Sequence, residues 1–287
     1  MLFRGQDTSL PMSSAKLNKP IGFAFATLIA MVWLVPIVMM LSVSFMPPSQ
    51  RAPRFGGLLI NGISLDNYRT VFSDAPIFRH LVNSLIIACS SVLLVVLFGS
   101  LAAYAFARLR IQWKETWFFL LITGLMLPIP TMVVPVFQVN KTLGLLDNYL
   151  GLILPYAAFG TPFALIIFRS FFENLPREIE EAAKVDGCSK LGIYWRIVMP
   201  ISWPAIAAVI IFQFMASFNE FVLALVTIDR NELKPMTLVP LMYSGQFMAR
   251  PGVMFATLTL ITIPVLIIYI LMQRYLTRGM TAGAIKG

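Results

Sequence analysis

Residues 21–45, IGFAFATLIAMVWLVPIVMMLSVSF, run for 25 residues without a charged side chain. At about 1.5 Å per residue such a run covers the roughly 30 Å of a bilayer's hydrocarbon core. Inside hydrocarbon every backbone N–H and C=O must be satisfied within the segment, so the run is committed to helix. It is longer than the roughly 7 to 15 residues of a signal-peptide core and lacks a small-residue cleavage site, so it is expected to remain as an anchor. Five further runs, 81–107, 116–140, 149–168, 201–218 and 253–272, meet or approach the same length. The expected fold is therefore an all-α integral membrane protein with six transmembrane helices between 21 and 272, flanked by segments 1–20 and 273–287. Only 12% of residues are charged and the mean hydropathy is +0.81, against about 25% charged in soluble domains.

Prolines mark the least regular spans. MLPIPTMVVPVF carries Pro128, Pro130 and Pro135, and ILPYAAFGTPFA carries Pro155 and Pro162. A proline inside a span frees a backbone carbonyl, and only a neighbouring helix, water or a cavity can take it up. The kinked stretches are thus expected to face protein or a pathway.

An even number of spans puts both termini on one side. With the termini inside, 14 of the 22 Lys and Arg residues fall on the inner face and eight on the outer, the bias that favours cytoplasmic termini. The net charge of +9 is read the same way, and no motif points to nucleic acid as a partner. Cys89 and Cys188 lie in different environments without metal-ligand spacing and are expected to be free thiols.

This topology places the polar stretch 169–200 in the longest inner loop. Pro176 suits a first helical position, and Glu178, Glu180 and Glu181 follow where acids complement the helix dipole. Gly187 is a natural helix stop and Ser189 a cap for a second short helix toward Pro200. Ile179, Ala182 and Ala183 make one small apolar face, open either to a groove on another protein or to the chain's own helix ends.

The stretch EEAAKVDGCSKLGIYWRIVMP resembles the EAA loop of ABC-importer permeases: E-A-A, three residues, G, nine residues, I, any residue, L-P. Glu181, Ala182, Ala183, Gly187, Ile197 and Pro200 match in register, with Met199 in place of the usual Leu. The stretches at 83–110, 151–187 and 218–227 (FNEFVLALVT) and the tail QRYLTRGMTAGAIKG resemble one branch, the carbohydrate-uptake permeases of the maltose-transporter type and their MalG-like subunit. The resemblance runs from about residue 20 to the end. It implies the type I ABC importer permease fold in a bacterial or archaeal cytoplasmic membrane, among its lipids. It also implies three kinds of partner: a second, MalF-like permease, two ABC ATPase subunits, and an extracytoplasmic solute-binding protein that delivers a sugar or oligosaccharide.

No G-x-x-x-x-G-K-[ST] stretch is present, so this chain is expected to hold no cofactor, with ATP and Mg bound by the partner ATPase. The resemblance assigns Glu180, Glu181, Ala182, Ala183, Asp186 and Gly187 to a coupling helix that fits a cleft in the ATPase, where Glu180 and Glu181 would meet basic groups. It brings the tail, with Gly283 and Lys286, toward the same partner. It makes the loop at 234–252, with Met242, Tyr243 and Gln246, a contact for the binding protein.

Asn219 and Glu220 end the fifth apolar run near the outer edge of the bilayer. They are either interfacial or, with Phe218, part of a polar pathway lining that would hydrogen-bond and stack on a sugar. A glycerol-phosphate, polyol or other non-sugar solute is the alternative cargo. An ion-coupled secondary transporter is disfavoured because the spans are almost free of ionisable groups, and His80, near a helix end, is the only histidine. No catalytic constellation appears, and the chain reads as a transport subunit rather than an enzyme.

Overall fold

The computed structural model describes residues 19–50, 62–74, 76–244 and 250–284. Among the described residues there are only helices and loops: α1 (Lys19–Ser44), α2 (Asp66–Asp74), α3 (Ile77–Arg108), α4 (Lys114–Ile122), α5 (Ile129–Thr142), α6 (Leu150–Glu173), α7 (Arg177–Val185), α8 (Lys190–Ile193), α9 (Met199–Ile201), α10 (Trp203–Phe218), α11 (Val222–Thr227) and α12 (Pro251–Ala284). Parts of α1, α3, α6 and α12 are long and apolar enough to cross a membrane alone. Two further candidates are bent pairs, Lys114–Met126 with Ile129–Thr142 at 102°, and Lys190–Ile201 with Trp203–Phe218 at 76°.

The bundle is organised on α3 and α6. Along α3 the row Ser84, Ala88, Ser91, Val95, Gly99, Ala103 and Ala107 is buried, recurring every three or four residues. Small side chains at helical spacing let two backbones close on each other. At the tightest point a Cβ added to Gly99 would lie 2.8 Å from the Ala164 Cβ of α6. The aromatic end of this interface, Tyr104, Phe168, Phe172 and Tyr194, fills the core beneath α7.

The prolines act as their freed carbonyls dictate. Pro155 removes the N–H that would bond to Gly151, and the Asn140 side-chain amide of α5 donates to the Gly151 carbonyl at 2.8 Å. With that partner supplied, α6 runs unbroken through Pro155 and Pro162. The third expected span does break. Leu127, held extended before Pro128 with ψ of 113°, cannot stay in the helical region. The fifth differs from its expectation too: α10 has 16 residues, about 24 Å long, and it reaches membrane thickness only with the bent segment before it. The last helix outruns its expected span: α12 continues to Ala284, while its membrane-crossing candidate is Pro251–Leu271.

Polar side chains tie the loops to the bundle. Asn67 of α2 donates to the Ser44 and Met46 carbonyls at 2.9 and 2.7 Å, taking up acceptors that the end of α1 leaves orphaned. The loop into the 3-10 segment Met236–Tyr243 is held to α3 by Asn83, which donates to the Glu232 and Lys234 carbonyls. Ser84 adds to this by accepting from the Met236 N–H at 2.8 Å. Asp147, at φ of 52°, accepts from the Asp229 and Arg230 N–H groups at 2.7 and 2.8 Å. The Arg230 N–H above all, seconded by that of Asp229, holds its carboxyl below the usual carboxylate range.

Candidate functional site

Helix α7 stands out from one end of the bundle as a short polar rod on a turn and a buried ion pair. Pro176 precedes its first residue, with an extended ψ of 131°, rather than forming the first helical position. At the other end Gly187 adopts φ of +82°. The Gly187 N–H then bonds to Lys184 O at 3.0 Å and the Cys188 N–H to Ala183 O at 2.9 Å, a Schellman closure that satisfies the last carbonyls. Ser189 accepts from the Gly192 N–H at 3.1 Å and starts α8 as its cap. A π turn (Tyr194–Val198) follows, and the Tyr194 hydroxyl meets Ser100 of α3 at 2.6 Å.

The two adjacent acids part company here. Glu180 is only 6% exposed and its Oε1 accepts from Arg108 Nε at 2.5 Å. Its Oε2 accepts from the Tyr104 hydroxyl at 3.4 Å, while Arg108 Nη2 donates to the Leu175 carbonyl at 3.0 Å. The expectation that Glu180 offers its charge to an outside partner is corrected: a buried carboxylate needs its counter-ion within reach, and Arg108 supplies it. Ala183 is buried on the same face. Glu181, Ala182 and Asp186 are exposed, as are Ile179 at 41% and Val185 at 89%. The apolar face expected from Ile179, Ala182 and Ala183 is therefore split, with Ala183 turned inward and the other two outward.

At the far end of α10, Glu220 occupies a second polar junction. Its Oε1 accepts from the Leu223 N–H at 2.9 Å, and its Oε2 from the Ala224 N–H at 3.2 Å and the Tyr156 hydroxyl at 2.6 Å. The carboxylate thereby caps α11, the place where negative charge and a free acceptor are both favourable. It lines a cavity of about 310 Å³ with Tyr156, Phe159, Phe163, Phe212, Gln213 and other side chains of α5, α6, α10 and the turn before α5. Gln213 donates to the Tyr156 carbonyl at 3.1 Å and to Ser217 at 2.8 Å.

Asn219 is exposed, and neither it nor Phe218 is part of the cavity wall. At 2% exposure Phe218 is buried, stacked on Phe214 with centroids 5.3 Å apart, because one helical turn aims both rings into the core against α12. Tyr243 is likewise corrected as an outward contact, being 8% exposed within the same cluster, whereas Met242 is exposed. Gln246 and Lys286 lie outside the described residues, and Gly283 falls in the last turn of α12.

Arg108, Tyr104, Tyr156 and Gln213 belong to these two junctions although no sequence motif marks them. Tyr104 and Arg108 carry the one available signal, a polar pair at i and i+4 closing a 32-residue apolar helix. Arg169, too, enters the sequence-based expectations only through its charge. It bridges Glu115 at 2.7 Å and Glu173 at 2.8 Å, and lies 4.0 Å over the Phe118 ring, joining α4 to the end of α6.

The chain matches known proteins over nearly its whole length. The family described as "Binding-protein-dependent transport system inner membrane component" matches residues 95–282. The sulfoquinovosyl glycerol transport system permease protein SmoH of Agrobacterium fabrum is 32% identical over 280 residues, 98% of either chain. The trehalose transport system permease protein SugB of Mycobacterium tuberculosis is 31% identical over 263 residues, 91% of this chain and 95% of that one. A chain of a bacterial ABC transporter involved in the import of the acidic polysaccharide alginate superposes with a TM-score of 0.77 at 24% identity, covering 91% of this chain and 98% of its own. That likeness gives the fold, an all-α multi-pass membrane architecture of the type I importer class. The chain is a transport subunit and not an enzyme: it belongs to the binding-protein-dependent transport system inner membrane component family, the permeases of ABC importers.

Proposed function

We propose that this chain is the MalG-like half of a heterodimeric pore that imports a carbohydrate, with six spans, both termini cytoplasmic and α7 as the coupling helix. Each bent pair counts as one span in this reading, which gives the topology that the distribution of Lys and Arg favours. The observation that carries it is the construction of α7. The helix is fixed to α3 by a buried ion pair, closed by the Gly187 turn, and leaves Ala182 and Val185 exposed, with Glu181 at the exposed rim beside α3. A rod held so passes a push along α3 and α8 into the bundle instead of bending. Closure of two ATPase subunits would then tilt the bundle between inward- and outward-facing arrangements.

The carbohydrate assignment is supported by the cargoes named for the relatives, sulfoquinovosyl glycerol and trehalose. It is also supported by the aromatic and amide lining of the Glu220 cavity, within the size range of small-molecule sites. Glu220 lines that cavity, with the exposed Asn219 next to it in the chain; in this reading Met242 would meet the binding protein and the last turn of α12 the ATPase.

The test is disulfide or bifunctional crosslinking from Val185→Cys in the complex assembled with its co-encoded partners. Capture of an ATPase subunit is the expected result, and a probe at this position reached only from the extracellular side would end the reading. ATP hydrolysis stimulated by binding protein loaded with oligosaccharides, compared with polyol phosphates and amino acids, decides the cargo. Stimulation by an amino acid alone would overturn the carbohydrate assignment.

A further inference from the structure

Between the end of α3 and the inner flank of α7 lies a cavity of about 120 Å³, lined by Arg108, Arg177, Glu180, Glu181, Lys184 and Lys190 among others. Four cations and two anions leave a surplus of two positive charges. Arg108 is matched by Glu180, yet spends only two of its five guanidinium N–H donors on the described residues. Arg177, Lys184 and Lys190 make no ion pair among the described residues. The Gly187 turn folds the chain back so that Lys190 returns to the rim on which Lys184 stands. A volume this small is below the range of sites for whole sugars or nucleotides, and its surplus charge selects an anion.

Its level in the fold identifies the source. Arg108 is the last residue of α3, a helix long and apolar enough to cross a membrane, so on the six-span reading proposed above, on which this inference rests, the cavity lies at the membrane-proximal end of a span. Exposed tryptophans surround it in the chain: Trp113 at 71% in the turn after α3, Trp117 in α4 and Trp195 in the π turn after α8. Indole rings collect at that depth, and basic pockets between membrane helices take anionic headgroups.

We infer that the cavity between the end of α3 and α7 binds a phosphate group, supplied by the headgroup of an anionic phospholipid. The phosphate oxygens accept from Lys184, Lys190 and Arg177 with the Arg108 guanidinium behind them. A lipid seated there spans α7 and α3 from the membrane side and stiffens the junction that the Arg108–Glu180 pair already makes. The exposed Glu181 carboxylate stays on the solvent side of the same rim.

Full-length chain in neutral detergent, mixed with phosphatidylglycerol or with phosphatidylcholine, tests this by native mass spectrometry of retained lipid. Phosphatidylglycerol is expected to be retained and phosphatidylcholine lost. The Lys184→Ala/Lys190→Ala double variant is expected to weaken retention about thirtyfold, as removal of two near-surface cation–phosphate attractions dictates. Arg230→Ala/Lys234→Ala, at the opposite end, leaves it unchanged. Competition by inorganic phosphate against phosphatidylglycerol supports a site that reads the phosphate itself. Equal retention of the two lipids, equal loss in both double variants, or binding of inorganic phosphate without any lipid preference overturns the assignment. The readout is lipid retention and not transport, so its failure leaves the coupling role of α7 standing.

Discussion

Glu180 and Glu220 are two withdrawn carboxylates at the two ends of the helical bundle, and they are held in opposite ways. Glu180 is matched by a full opposite charge on a side chain 72 residues away. Glu220 is held by two backbone N–H groups and a tyrosine hydroxyl, with no cation bonded to it among the described residues. The first arrangement fastens one element to another and leaves little free acceptor. The second keeps a negative charge in a cavity wall without neutralising it, which suits a surface that a polar solute passes. The same residue type serves both, once paired to a distant side chain and once held mainly by backbone.

The comparison breaks first at Arg108. Arg108→Gln strands the Glu180 carboxylate, and the cost is expected at about 3 kcal/mol, the lower end for a broken buried pair, since a cavity lies alongside. Denaturant unfolding in detergent measures it. Because the partner is a side chain, Arg108→Gln/Glu180→Gln should recover much of the loss, and a double variant as unstable as the single one would show that the pair's charge is not what matters.

At Glu220 no second substitution can rescue in that way, because the donors are mostly backbone. Glu220→Gln must turn an NH₂ toward another donor, at about 1 to 3 kcal/mol. Substrate-stimulated ATP hydrolysis should fall together with stability, and an unchanged profile would reduce Glu220 to an interfacial acid.

Gly187→Val tests the rod without touching either carboxylate. Nothing lies within 4 Å of the added Cβ and the backbone sits at φ of +82°, so the cost is conformational, about 1 to 2 kcal/mol. Uptake should drop while membrane insertion is kept, and Gly187→Asn should be milder because asparagine tolerates that region.

The smallest effect is a pH dependence. Asp147 has a folded pKa below its ordinary value of 3.8, so its contribution is present above that value and fades as pH falls through the lower folded one. Asp147→Asn should remove this acid-range component of the melting curve and lower stability at neutral pH only slightly. A wild-type curve with no such component at low pH would show that the clamp on residues 229 and 230 is not electrostatic.

Much of this protein is legible in the amino-acid sequence, and the reason is locality. Apolar length, the Gly187 stop, the Ser189 cap and the register of Glu181 with Gly187 are properties of a few neighbouring residues. Hydrocarbon thickness and helix geometry convert them directly into spans and turns. Pro128 is legible as an interruption for the same reason, but Pro155 is not legible as a harmless one. Its consequence depends on Asn140 of another helix reaching the Gly151 carbonyl.

What only the tertiary structure decided is which of two neighbouring side chains faces in. Glu180 and Glu181 are one residue and about 100° apart on the same helix, and the chain's own pattern ranks Glu181 only through its resemblance to a family. Arg108 chooses between them, from a position fixed by the packing of α3 on α6. Phe218 and Glu220 are separated likewise, one turned into the core beside Phe214 and the other into the cavity beside Tyr156. Side-chain direction near a helix end is set by what the rest of the fold brings alongside, and that information is spread over distant segments.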